Sequence, residues 1–135
     1  MNYWLIKTEP DTFSWDDLVK KKREHWDGVR NFKARNNIKA MKLGDLCLFY
    51  HSNVGKEVVG IAEVVKEYYP DHTAEDGKWY MMDVAPVRKL KRPVTLAEVK
   101  ANERLSQMKL VTNSRLSVQP VKPEEFEMIL ALSES

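Results

Sequence analysis

The sequence predicts an α+β fold, a small curled sheet or barrel flanked by short helices. Three observations lead there. Runs of aromatic and β-branched residues of strand length recur along the chain. Segments with apolar residues at helical spacing stand between them, two of them beside capping boxes. Strands and helices mix without the regular βαβ rhythm of a parallel sheet. The 135 residues suit one domain spanning 1–135, and a chain of that length buries about two thirds of its unfolded surface.

In chain order, Tyr3 to Thr8 is an aromatic and β-branched run and is expected as the first strand. Ser14-Trp15-Asp16-Asp17 has capping-box spacing, and Trp15, Leu18 and Val19 then share a helical face. Ala34, Ile38 and Met41 repeat at helical spacing behind Asn31 as N-cap, and Gly44-Asp45 closes that helix. Leu46 to His51 and the almost continuously apolar Val58 to Val65 are expected strands, as is Trp79 to Val87. Thr95-Leu96-Ala97-Glu98 is a second capping box. Ser117 to Val121 is expected as a last strand, ended by Pro120 and Pro123. Pro123 also fits the first turn of a helix with Phe126, Ile129 and Leu130 on its face.

Composition excludes several function classes. Hydrophobic residues are 43% and charged residues 31%, which places the chain outside disordered sequences. The single Cys47 excludes an internal disulfide and a thiolate zinc site made by one chain. The opening Met1-Asn2-Tyr3-Trp4-Leu5-Ile6-Lys7 does not have the pattern of a signal peptide, and a cytoplasmic location is expected. Net charge is +2, so attraction to nucleic acid has to come from local clusters: Lys20-Lys21-Lys22-Arg23, Arg30 to Arg35, and Arg88 to Arg92.

A search for catalytic sets finds none. His25, His51 and His72 lie far apart in sequence and show no metal-ligand spacing, so no metal or other cofactor is expected. No phosphate-cradling glycine loop or nucleophile elbow is present. His51 and Ser52 are neighbours on a strand and so point to opposite faces. Three segment ends are richer. Trp26-Asp27-Gly28-Val29-Arg30-Asn31 puts an aromatic, a carboxylate and a glycine in a segment too short for a regular element. Its tryptophan is either a loop anchor or a stacking platform. Tyr50-His51-Ser52-Asn53 closes a strand with four hydrogen-bonding side chains, and Lys7-Thr8-Glu9-Pro10 closes another. Brought together, these supply an aromatic plate, amides, hydroxyls and charge, the equipment for reading an extruded base.

The same segments carry a family resemblance. Tyr3-Trp4-Leu5-Ile6-Lys7-Thr8-Glu9-Pro10, Trp26-Asp27-Gly28-Val29-Arg30-Asn31, Phe49-Tyr50-His51-Ser52-Asn53, Val59-Gly60-Ile61-Ala62-Glu63-Val64 and Ser114-Arg115-Leu116-Ser117-Val118-Gln119-Pro120-Val121 resemble the EVE domain family. Tyr69-Pro70-Asp71 and Pro93-Val94-Thr95-Leu96 do so too. The resemblance runs nearly end to end, and the chain looks like a stand-alone bacterial member. It implies a PUA-like small β-barrel flanked by helices, kinship with the methyladenine-reading YTH domains, and a nucleic-acid partner, DNA or RNA, with a modified base. Trp26 matches the first cage tryptophan of the YTH pattern, and Glu9 falls where those domains often place an asparagine. A carboxylate there accepts hydrogen bonds only and favours a donor-bearing edge, such as the exocyclic amine of cytosine or adenine.

The function expected is a non-catalytic reader. Trp26 stacks, Glu9, Asn31 and Ser52 read the edge, and Asp27, Tyr50 and His51 line the pocket. Lys7 lies at the ligand, and with Arg30, Lys33 and Arg115 it manages phosphates. The second aromatic wall is left among Tyr68, Tyr69 and Trp79. The alternatives are an enzyme acting on RNA or a nucleotide, with Lys7, Glu9, His51 and Ser52 as its groups, and a protein-interaction module.

Overall fold

The structure is a computed structural model and describes residues 1–135. Six strands form one sheet: β1 (Tyr3–Thr8), β2 (Glu24–His25), β3 (Leu46–His51), β4 (Glu57–Pro70), β5 (Tyr80–Thr95) and β6 (Val118–Val121). Their order across the sheet is β2-β5-β4-β3-β1-β6. β1 runs parallel to β3, and every other pairing is antiparallel.

Alternation along the strands builds two apolar layers. Trp4 and Ile6 of β1 and Cys47 and Phe49 of β3 face one layer. Leu5, Leu48 and Tyr50, one residue out of step, face the other. Helices α1 (Trp15–Lys21) and α2 (Phe32–Ala40) cover the first layer with Trp15, Leu18, Ala34 and Ile38. Helices α3 (Leu96–Ala101), α4 (Lys109–Thr112) and α5 (Pro123–Glu134) cover the second with Val99, Leu110, Phe126 and Ile129.

The helix starts follow the chemistry of their caps. The Ser14 hydroxyl accepts from Asp17 N at 3.1 Å while the Asp17 carboxylate accepts from Ser14 N at 2.9 Å. Thr95 and Glu98 repeat the arrangement at the head of α3. Val19, expected on the inner face of α1, is 48% exposed instead. The α1 helix is 7 residues long, and its inner face needs only Trp15 and Leu18.

The sheet does not close into the expected barrel. Its end strands do not pair: β2 has 2 residues and β6 has 4. Helix α2 packs against both β6 and β5. There the Asn37 side-chain amide donates to Val118 O at 2.7 Å, so a helix side chain takes a bond that barrel closure would give to a strand. Pro120 lies inside β6 opposite Trp4 rather than ending it, which an edge strand permits. The β4–β5 hairpin outruns both expected strands, because backbone pairing continues past the apolar stretch with register shifts along the way.

Candidate base-binding cleft

Where the end of β1 meets β2 and the segment behind it, the surface opens into a cleft of about 280 Å³. It is lined by Lys7, Thr8, Thr12, Phe13, Glu24, His25, Trp26 and Asp27. Phe13 and Trp26 stand nearly perpendicular, at 82°, with ring centroids 6.2 Å apart. Trp26 is only 8% exposed and meets Phe49 edge-on at 5.8 Å, while its backbone N–H donates to Met82 O at 2.7 Å. It is therefore an anchor of the first apolar layer that also lines the cleft. The Thr8 hydroxyl donates to Phe13 O at 2.8 Å and ties the Phe13 turn to the end of β1.

The segment after Trp26 is held by a buried carboxylate. Asp71 accepts from Gly28 N at 2.8 Å, from Arg30 Nη1 at 3.1 Å, and from both Thr73 N and the Thr73 hydroxyl. Burial alone would raise its pKa, but the hydrogen bonds from Thr73, Gly28 and Arg30 outweigh that and hold it at about 2. Gly28 has φ +79°, a left-handed conformation that suits glycine at this bend. On the rim, His25 Nε2 is 3.7 Å from Asp27 Oδ2, and His25 Nδ1 is 3.7 Å from Glu24 Oε1. The His72 ring lies 5.3 Å from that of His25, so the fold joins two histidines whose separation in sequence had argued against any cluster.

Of the residues expected at the site, Lys7, Trp26 and Asp27 line the cleft. The Lys7 ammonium is turned away to Ser114 O and the Tyr50 ring, and burial lowers its pKa. The others are elsewhere. Glu9 is exposed outside the cleft and accepts from Asn53 Nδ2 at 2.7 Å. Asn31 acts as the N-cap of α2, its side chain accepting from Ala34 N at 3.0 Å. Tyr50 is buried in the second apolar layer, because it alternates with Phe49. His51 Nε2 accepts from Trp15 N at 3.1 Å at the head of α1, and burial pulls its pKa down, leaving it a neutral acceptor. Ser52 holds the end of β1 through its backbone N–H, which donates to Thr8 O. Trp79 stacks on Phe32 at 5.1 Å beside a separate depression and is not the second wall of the cleft. Nor are the other two aromatics proposed for that wall: Tyr68 meets Tyr80, and the Tyr69 hydroxyl bonds Asp83. Arg30 is paired with Asp71, while Lys33 and Arg115 are exposed.

Sequence reasoning missed Phe13, Glu24, His25, Asp71 and His72. Phe13 had one local signal, a large apolar side chain just before the Ser14 cap, where a hydrophobic staple belongs.

The model of the EVE domain matches residues 2–132. The chain belongs to the EVE domain family. Thymocyte nuclear protein 1 of Mus musculus is 42% identical to this EVE chain, over 99% of it and 74% of the relative. A crystal structure from Agrobacterium tumefaciens is 49% identical, with TM-score 0.96 over 98% of this chain and 93% of that one. The crystal structure of human THYN1 protein in complex with 5-methylcytosine-containing DNA is 39% identical, with TM-score 0.95 over 100% of this chain and 99% of that one. An ASCH structure from Zymomonas mobilis, 14% identical with TM-score 0.60, shares the fold alone.

The cleft of this EVE chain brings together aromatic rings, carboxylates, hydroxyls and an imidazole. Cys47 is fully buried, and burial pushes its thiol pKa upward. His51 is committed to α1. No helix is long and apolar enough to cross a membrane.

Proposed function

We propose that this chain is a non-catalytic DNA-binding module that takes a modified cytosine into the cleft lined by Phe13 and Trp26. The observation that supports it most is the end-to-end likeness to human THYN1 protein, whose crystal structure holds 5-methylcytosine-containing DNA. The cleft fits the reading. Its volume of about 280 Å³ suits one flat heterocycle, and two aromatic rings meet inside it. Glu24 and Asp27 supply carboxylate acceptors for the exocyclic amine of cytosine, the part first assigned to Glu9. A 5-methyl group would lie against ring edges. Exposed Lys33 and Arg115 supply phosphate contacts. The fold is read as PUA-like with an open sheet, supported by the ASCH likeness.

The test is fluorescence anisotropy with short duplexes carrying cytosine or 5-methylcytosine, in buffer containing a chelator. Wild type should prefer the methylated duplex about fourfold or more, as burial of one methyl group predicts. Phe13→Ala should weaken binding about 5- to 150-fold, the worth of one stacking partner. Trp26→Ala is unsuited to the test, because emptying a core position costs about 3–5 kcal/mol of stability. Binding indifferent both to the methyl group and to Phe13→Ala would sink the reading. Mass spectrometry of the duplex after incubation should show unchanged bases; a new product would make the chain an enzyme.

A further inference from the structure

We propose that His25, Asp27 and His72 form a binding site for one divalent transition-metal ion of the zinc class on the rim of the cleft. One ligand atom from each lies within 4.8 Å of the other two. His25 Nε2 and Asp27 Oδ2 are already 3.7 Å apart. Ligands about 2.0–2.2 Å from a tetrahedral zinc stand about 3.3–3.6 Å from one another, so side-chain rotations of about 1 Å close the set. Asp27 and His72 are exposed and His25 is half-exposed, so those rotations are open to them.

One further feature points the same way. Asp71 fixes the backbone under two of the ligands. It accepts from Gly28 N, next to Asp27, and from Thr73 N, next to His72. The ligand-bearing segments are thus tied to one buried group before any ion arrives. Two imidazoles with one carboxylate select zinc, cobalt, nickel or copper over magnesium or calcium, which take oxygen ligands. Three protein ligands also leave a coordination position open beside the cleft.

The experiment is a titration of the purified full chain with zinc by isothermal calorimetry, without DNA, so its result is independent of the base-reading function. Wild type should bind one zinc per chain, and excess magnesium should not displace it. His25→Ala and His72→Ala should each weaken binding about tenfold or more while circular dichroism stays that of the folded chain. Cobalt in place of zinc should give visible ligand-field bands that both variants lose. Absence of zinc uptake, a ratio of one zinc to two chains, or unchanged affinity in either histidine variant would overturn the proposal.

Discussion

The carboxylate of Asp71 is buried, yet it is the group on which the cleft-side loop depends. Four donor contacts, from Gly28, Arg30 and two groups of Thr73, keep it ionised. Its folded pKa of about 2 lies below the ordinary 3.8. The stabilisation is therefore fully present above about pH 4 and is lost as pH falls toward 2. Asp71→Asn should cost about 2–3 kcal/mol at pH 7, the size that such a shift implies, and nearly nothing near pH 2. Guanidinium unfolding of both proteins across that range checks it, and a gap that persists at low pH would show that shape rather than charge matters at this position. The sequence contained Asp71 within a family-like segment but gave no sign of its burial, since two of its donors, on Gly28 and Arg30, come from a loop far back in the chain.

At the scale of elements, β4 shows a glycine required for space rather than for backbone freedom. A Cβ on Gly60 would meet the Trp15 ring at 2.6–2.7 Å, which pins α1 against the sheet. Gly60→Ala should lower stability by about 1–3 kcal/mol through overpacking. Adding Trp15→Phe, which withdraws the part of the ring in the way, should give a loss smaller than the sum of the two singles. Chemical denaturation of the four proteins measures this; strict additivity would mean that the strand and ring shift apart at no cost. The limits of sequence reading also show at this scale. β1 and β3 were legible because each is a short apolar run closed by polar residues, Lys7-Thr8 and His51. β2 was not, since 2 residues paired to β5 leave no periodic signal. Tyr50 was placed in the cleft although its alternation with Phe49 already sends it to the opposite layer. The His25–His72 pair comes from tertiary approach, which spacing along the chain does not encode.

For the whole molecule, the charge balance sets how DNA would be held. Net charge is +2, and the basic clusters are partly spent within the fold. Lys21 pairs with Glu24, Arg23 with Asp83, Arg30 with Asp71 and Arg92 with Glu98. Lys33 and Arg115 remain exposed, and exposed Lys109 lines the same depression as Lys33. About two to four phosphates should then be neutralised, giving a slope of log affinity against log salt of about −2 to −4 on duplex DNA. Anisotropy titrations over a series of sodium chloride concentrations measure it. Joint replacement of Lys33 and Arg115 by Ala should flatten the slope by about 2 while leaving the preference for 5-methylcytosine intact. Phe13→Ala should do the reverse, lowering affinity at every salt concentration with the slope unchanged, because stacking releases no counterions. A slope steeper than about −6, or one that Phe13→Ala flattens, would mean that the basic surface and not the cleft governs binding.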